Sequence, residues 1–273
     1  SVVKNKKKPP TFFETSSYIT FFPHLIADPI LSAASTIPQF KSMHVDWQAF
    51  PAALTLFSVG IIKKVMIADP IGVYIDTAYA NVHTLNFIEA STAMLGFSLQ
   101  IYCDFSAYTD MAIALAIMFG IKFPENFKSP YLQKSITATW SCWHMTLTHW
   151  LRDYVLIPIY SRTRHFSRHL AIILTMLLSG LWHGANWTFI IWGLCNGLII
   201  WLESVTGYAE YTARQNGIIR YLLIVINLIF WSLICVLFRA EDLNSALAMW
   251  SAISRIPESW SSANGHILCL CGL

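Results

Sequence analysis

The sequence predicts an all-α protein that crosses a membrane several times, and two observations lead there. Of its 273 residues, 55% are hydrophobic and only 12% are charged, roughly half the charged share of an average soluble domain. So few charges cannot cover a water-facing surface of this size, and lipid is the natural solvent for the apolar remainder. The apolar residues are also gathered into long runs, and the run 170–202 contains no Asp, Glu, Lys or Arg. The 11 Trp and 11 Tyr suit the membrane interface, where an amphipathic ring sits half wet. A net charge of +3 gives no case for a nucleic-acid partner.

Taken in order, Ser16 to Ile37 is apolar but interrupted by Pro23, His24, Asp28 and Pro29, which predicts a bent or re-entrant stretch. Phe50 to Ala68 predicts a span whose Lys63 and Lys64 snorkel at its end. Glu89 to Gly120 is long enough for one tilted helix or a broken pair, with Asp104 and Asp110 inside it. Ile136 to Tyr160 is aromatic but carries His144, His149, Arg152 and Asp153, so an interfacial or re-entrant segment is expected. Leu170 to Leu202 is the strongest membrane signal, and Gly184 and Asn186 near its middle allow two segments joined by a turn. Tyr221 to Phe238 predicts another span, and Ser245 to Ile256 a short amphipathic helix. The expected total is five to seven apolar segments in one membrane domain over residues 1–273.

The chain opens on Ser1 and stops as an apolar run begins at Cys269 to Leu273, so an internal fragment of a longer protein is expected. Lys4, Lys6, Lys7, Lys8, Pro9 and Pro10 read as a linker. Cysteines 103, 142, 195, 235, 269 and 271 form no C-x-x-C pair and read as buried small hydrophobes.

Chemistry in such a chain must come from polar groups held in apolar surroundings. His183 stands in Leu181-Trp182-His183-Gly184-Ala185-Asn186-Trp187, fifteen residues beyond Arg168. That is about 22 Å along a helix, past the middle of a hydrocarbon layer of about 30 Å. A neutral imidazole there can take a proton from an alcohol, or it can be a structural histidine bonded between helices. A second cluster runs from Trp140 through Trp143, His144 and His149 to Arg152, Asp153 and Tyr154. It can position an acyl donor, or form an interfacial aromatic belt with a locally paired Arg152 and Asp153. Asp104 and Asp110, six apart, do not share a helix face closely, so a bond to a neighbouring helix is expected over paired acid–base work.

Several ordered blocks then agree with one family. Tyr102-Cys-Asp-Phe-Ser106 with Tyr108 and Asp110 to Ile113, Phe123-Pro-Glu-Asn-Phe127, Trp143-His144, Trp150-Leu-Arg-Asp-Tyr154 and Gly180-Leu-Trp-His-Gly-Ala185 resemble the membrane-bound O-acyltransferase family. The branch resembled is that of the bacterial alginate O-acetylation proteins, and Phe21-Phe-Pro-His-Leu-Ile-Ala-Asp-Pro-Ile30 resembles its early motif. The resemblance covers most of Ser17 to Glu203. It implies a ring of helices around a central tunnel, with His183 the essential catalytic histidine and His144 a second important one. It implies an acyl thioester donor (acetyl-CoA or an acyl carrier) from the cytosol and no bound cofactor. The acceptor implied is a polysaccharide hydroxyl or an extracytoplasmic acetyl-transfer partner protein, and the location a bacterial inner (plasma) membrane.

Together these readings make His183 the general base toward an acceptor hydroxyl that attacks the thioester. His144 or Asn186 would orient substrate or stabilise the oxyanion. Trp182, Trp143, Asp104, Arg152 and Asp153 complete the expected substrate-binding set, and no metal site is expected. Two rivals stand beside this. His144 with His149 and His165 with His169 have the look of di-iron desaturase boxes, although the tight His-x-x-His-His box is absent. A transporter with Asp104, Asp110 and His183 along its path is the other. Ser161 to His169 carries three arginines and no acid, so a cytosolic loop is expected there.

Overall fold

A computed structural model describes residues 9–24, 29–162 and 168–255. Among them every regular element is helical. Four helical runs are long and apolar enough to cross a membrane: Phe50–Ala80, Phe87–Met118, Trp187–Thr206 and Gly217–Arg239. The other apolar segments expected from the sequence are cut into helices too short to span.

The early stretch is one of these. It consists of α1 (Phe12–Thr20), a 3-10 turn at Phe22–His24 and α2 (Ala33–Phe40). Thr11 and Glu14 start α1 by capping each other's backbone N–H groups. Leu25 to Asp28, in the middle of the early motif, lie outside the described residues.

The next run corrects the sequence reading. α3 (Phe50–Ile61) does not stop at Ala68 but passes through a π-helical stretch, Ile62–Ala68, into α4 (Asp69–Ala80). Pro70 falls in the first turn of α4, where a missing N–H is tolerated. Lys63 and Lys64 are therefore mid-run and do not snorkel from a helix end. They reach α5 (Phe87–Met118), where Lys63 Nζ lies 2.6 Å from Asp110 Oδ2 and Lys64 Nζ 2.6 Å from Asp104 Oδ1. Charges within apolar helices are costly alone; Lys63 and Asp110 offset each other, and Lys64 also bridges Asp69 at 2.7 Å. The two aspartates thus hold a neighbouring helix, as their spacing led one to expect. α5 itself is a single unbroken helix of 32 residues, about 48 Å long, which decides for one tilted helix over a broken pair.

Ile136 to Tyr160 is segmented into α6 (Ile136–Trp140), α7 (Met145–Leu151), a π-helical turn at Arg152–Leu156 and α8 (Ile157–Arg162). Buried Glu203 starts α6, its carboxylate accepting the N–H groups of Ile136 and Thr137 at 2.9 and 2.8 Å. The basic segment after Tyr160 falls largely on residues 163–167, outside the described residues.

The uncharged run is two helices, α9 (Arg168–His183) and α10 (Trp187–Thr206), joined by the turn Gly184 to Asn186. They pack antiparallel at near backbone contact. A Cβ on Gly193 would stand 3.1 Å from Gly180 Cα and collide with the Met176 carbonyl, so only glycine fits. α11 (Tyr208–Arg214), α12 (Gly217–Arg239) and α13 (Leu243–Ser254) follow. The last two match the predicted span and the predicted short amphipathic helix; α13 buries Ala246, Met249 and Ala252. Asp242 caps α13, and the Ser245 N–H at 2.8 Å holds its carboxyl below the usual range. α5 and α12 are tied by a 2.8 Å hydroxyl bond between Ser98 and Ser232. Cys103 and Cys235 are buried, as expected of small hydrophobes, whereas Cys142 and Cys195 are only half-buried; Cys269 and Cys271 lie outside the described residues.

Candidate active site

Helices α5, α6, α7, α9, α10 and α12 converge on a cavity of about 50 Å³. His144 and His183, 39 positions apart in the chain, both line it, with Trp143, Trp192, Trp231 and Phe238 among its walls. A water occupies about 10–15 Å³ on this measure, so the cavity holds a few waters or a small polar group.

His183 is the last residue of α9. The α9–α10 turn follows at once, so the ring leans on the start of α10 and the end of α12. Trp192 meets it edge-on at 5.4 Å and 89°, and Phe238 at 4.9 Å and 76°. Among the described residues nothing hydrogen-bonds this imidazole; aromatic contacts orient it. The close approach of Gly180 to Gly193 sets the height of His183 against Trp192.

His144 is held differently. It is 2% exposed and has a left-handed backbone, φ 42° and ψ 54°, a conformation rarely adopted by a side chain-bearing residue. That turn separates α6 from α7 and swings the ring inward. Its Nδ1 lies 3.2 Å from Asn126 Oδ1, and Phe105 packs edge-on at 4.7 Å. Trp143 stacks on Tyr131 and meets Phe127 at 5.1 Å. Tyr131 is fixed in turn by its hydroxyl, which donates to the Ser98 carbonyl. Trp140 donates its indole N–H to Asn196 at 2.9 Å, joining α6 to α10.

The remaining sequence candidates do not line the cavity. Trp182 is 60% exposed and lines an adjoining groove with Trp150 and Leu178, while its ring meets that of His183 edge-on at 4.8 Å. Asn186 is the N-cap of α10, accepting the Thr188 N–H at 3.2 Å and donating to the Glu241 carbonyl at 2.7 Å. Asp104 is committed to Lys64. Arg152 is exposed and Asp153 half-buried, and they pair locally at 2.9 Å. His149 is exposed while His144 faces the cavity, so the two do not converge as a di-iron box would require. Asn126, Trp192, Trp231 and Phe238 went unnoticed in the sequence. Asn126 alone carried a signal, its place in the Phe123 to Phe127 block.

This is the site of a multi-spanning membrane protein built around two inward-facing histidines. The family model described as MBOAT, membrane-bound O-acyltransferase family, matches residues 2–245, and the chain belongs to that family. It is 40% identical to a probable alginate O-acetylase AlgI of Pseudomonas putida over 87% of this chain and 48% of that protein. It is 36% identical to a peptidoglycan O-acetyltransferase of Helicobacter pylori over 94% of this chain and 48% of that one. A teichoic acid D-alanyltransferase of Bacillus subtilis is 27% identical over 67% and 49%. The chain spans about half the length of these curated relatives.

Proposed function

We propose that this chain carries the reaction centre of an O-acetyltransferase of a bacterial inner membrane. The observation that carries the reading is the meeting of His183 and His144 on one small, aromatic-walled cavity. Relatives named for O-acetylation support a short acyl group.

In this mechanism His183 accepts the proton of the acceptor hydroxyl. The hydroxyl oxygen adds to the thioester carbonyl, and collapse of the adduct expels the thiolate and leaves the ester. The aromatic walls exclude water, which would otherwise compete as nucleophile. A ring held by aromatic edges keeps its nitrogens available for this exchange, whereas a structural histidine would be bonded between helices. The donor is an acyl thioester from the cytosolic side, with no bound cofactor. The acceptor is a polysaccharide hydroxyl or an extracytoplasmic transfer protein on the other side.

The test is ester formed per unit of membrane-inserted protein. His183→Ala and His183→Gln should both fall by about 10²–10⁴-fold, the usual worth of a general base, while the protein accumulates normally. Near-normal specific activity in His183→Gln would remove the base from this mechanism, since an amide bonds but cannot take the proton. Turnover should persist in strong metal chelators.

A further inference from the structure

Asn126 is a buried polar residue that the proposed reaction leaves without a task. It is 1% exposed and sits between α5 and α7. Its Oδ1 accepts the Thr146 backbone N–H at 3.1 Å and the Thr146 hydroxyl at 2.9 Å. The same oxygen faces His144 Nδ1 at 3.2 Å, and the amide nitrogen points to Thr109 Oγ1 at 3.5 Å. The orientation of this amide is dictated by its neighbours. A backbone N–H can only donate, so the atom opposite Thr146 must be the oxygen, and an amide oxygen can only accept. His144 Nδ1 must then carry the proton, which leaves the lone pair of the neutral ring on Nε2.

We infer that Asn126 is a positioning residue that locks neutral His144 as its Nδ1–H tautomer, so that His144 presents a proton acceptor to the cavity. This deepens the acyl-transfer reading and changes one of its parts. A neutral ring in this tautomer cannot donate from Nε2 to an oxyanion. It can accept a hydrogen bond from the acceptor hydroxyl or from His183 once that has been protonated. The lock is braced from several elements. The Thr146 hydroxyl also accepts the Ile30 N–H at 3.1 Å, and the Met145 N–H donates to the Asn126 carbonyl at 2.9 Å. The titratable groups that share the cavity are His183 of α9 and Cys235 of α12. Of the charged groups of α5, Glu89 caps its first turn, and Asp104 and Asp110 are engaged by Lys64 and Lys63.

Two measurements on the full chain in membranes test this. With nitrogen-isotope-labelled histidine, solid-state NMR should show the His144 signal, identified by its loss in His144→Ala, in the Nδ1–H form. In Asn126→Ala the Nε2–H form should grow. An Nε2–H signal in the unmodified protein would overturn the inference. This readout needs no turnover, so it separates failure of the inference from failure of the acyl-transfer reading, on which the kinetic arm rests. In that arm Asn126→Ala should lower kcat on the order of 100-fold per inserted protein, the scale of a misplaced reacting group, with donor KM little changed. Asn126→Asp keeps an acceptor but adds charge that favours the imidazolium, so the acid limb of the kcat profile should move to higher pH. In a His144→Gln background the same substitution should leave that limb in place. A profile for Asn126→Asp that coincides with the unmodified one, or an equal shift in His144→Gln, refutes the positioning role.

Discussion

Gly193→Ala tests how finely the α9–α10 contact sets the site. The new Cβ would collide with the Met176 carbonyl and stand 3.1 Å from Gly180 Cα and 3.2 Å from Gly180 N, where heavy atoms ordinarily approach to about 3.5–4.0 Å. All three obstacles are backbone and cannot rotate away. The helices must therefore part by about 0.5–1 Å, and the end of α9 moves with them, carrying His183 away from Trp192. Overpacking of this kind costs about 1–3 kcal/mol, which lowers accumulation without abolishing insertion. A reacting group displaced by about 1 Å can lose on the order of 100-fold in rate. Specific activity should thus fall much further than abundance. The assay is ester formation normalised to membrane-inserted protein, with Gly96→Ala as the comparison. There the added Cβ meets only the side-chain tip of Ile75 at 2.9 Å, which can shift. Equal specific activity in the two variants would refute the argument that this helix contact places His183.

Three further outcomes are expected. Asp110→Ala leaves Lys63 without its 2.6 Å partner, at a cost of about 3 kcal/mol for an unpaired charge in a membrane helix; inserted protein should drop, and Lys63→Met combined with Asp110→Leu should restore it on immunoblots. α9 and α10 run antiparallel, so the loop before α12 lies on the same side as Arg168; Asn216→Cys should resist impermeant thiol reagents in intact cells and label after lysis, and labelling of intact cells would reverse this orientation. The Asp242 carboxyl is held below its usual range by the Ser245 N–H, so its cap is present above the unfolded-state pKa and is lost as pH falls through the lowered folded value. Amide exchange at the start of α13 should therefore quicken in acid, and Asp242→Asn should flatten that dependence.

The membrane class, the helical fold and the pair of histidines were legible in the sequence. They rest on composition, on run length and on motifs, all of which are local along the chain. Local reading could not say which apolar runs continue. Phe50 to Ala68 reads as a whole span, yet the helix passes through a π-helical stretch to Ala80, and Lys63 and Lys64 within it pair with Asp110 and Asp104 on the next long helix. Nor could it separate Asn186, one residue from the α10 start that it caps, from a substrate ligand, since both roles ask for the same amide. Trp182 and His183 are adjacent in the chain and their rings touch, yet only His183 lines the cavity while Trp182 lines the adjoining groove. The convergence of His144 on His183, the aromatic walls from α10 and α12, and the hold of Asn126 on His144 are products of helix packing. The sequence alone determined that a histidine would stand within a long uncharged run; the structure puts it at the end of a helix, beside a turn. Only the tertiary structure decided its companions, because a cavity is made by the surfaces of separate helices and no single segment encodes its shape.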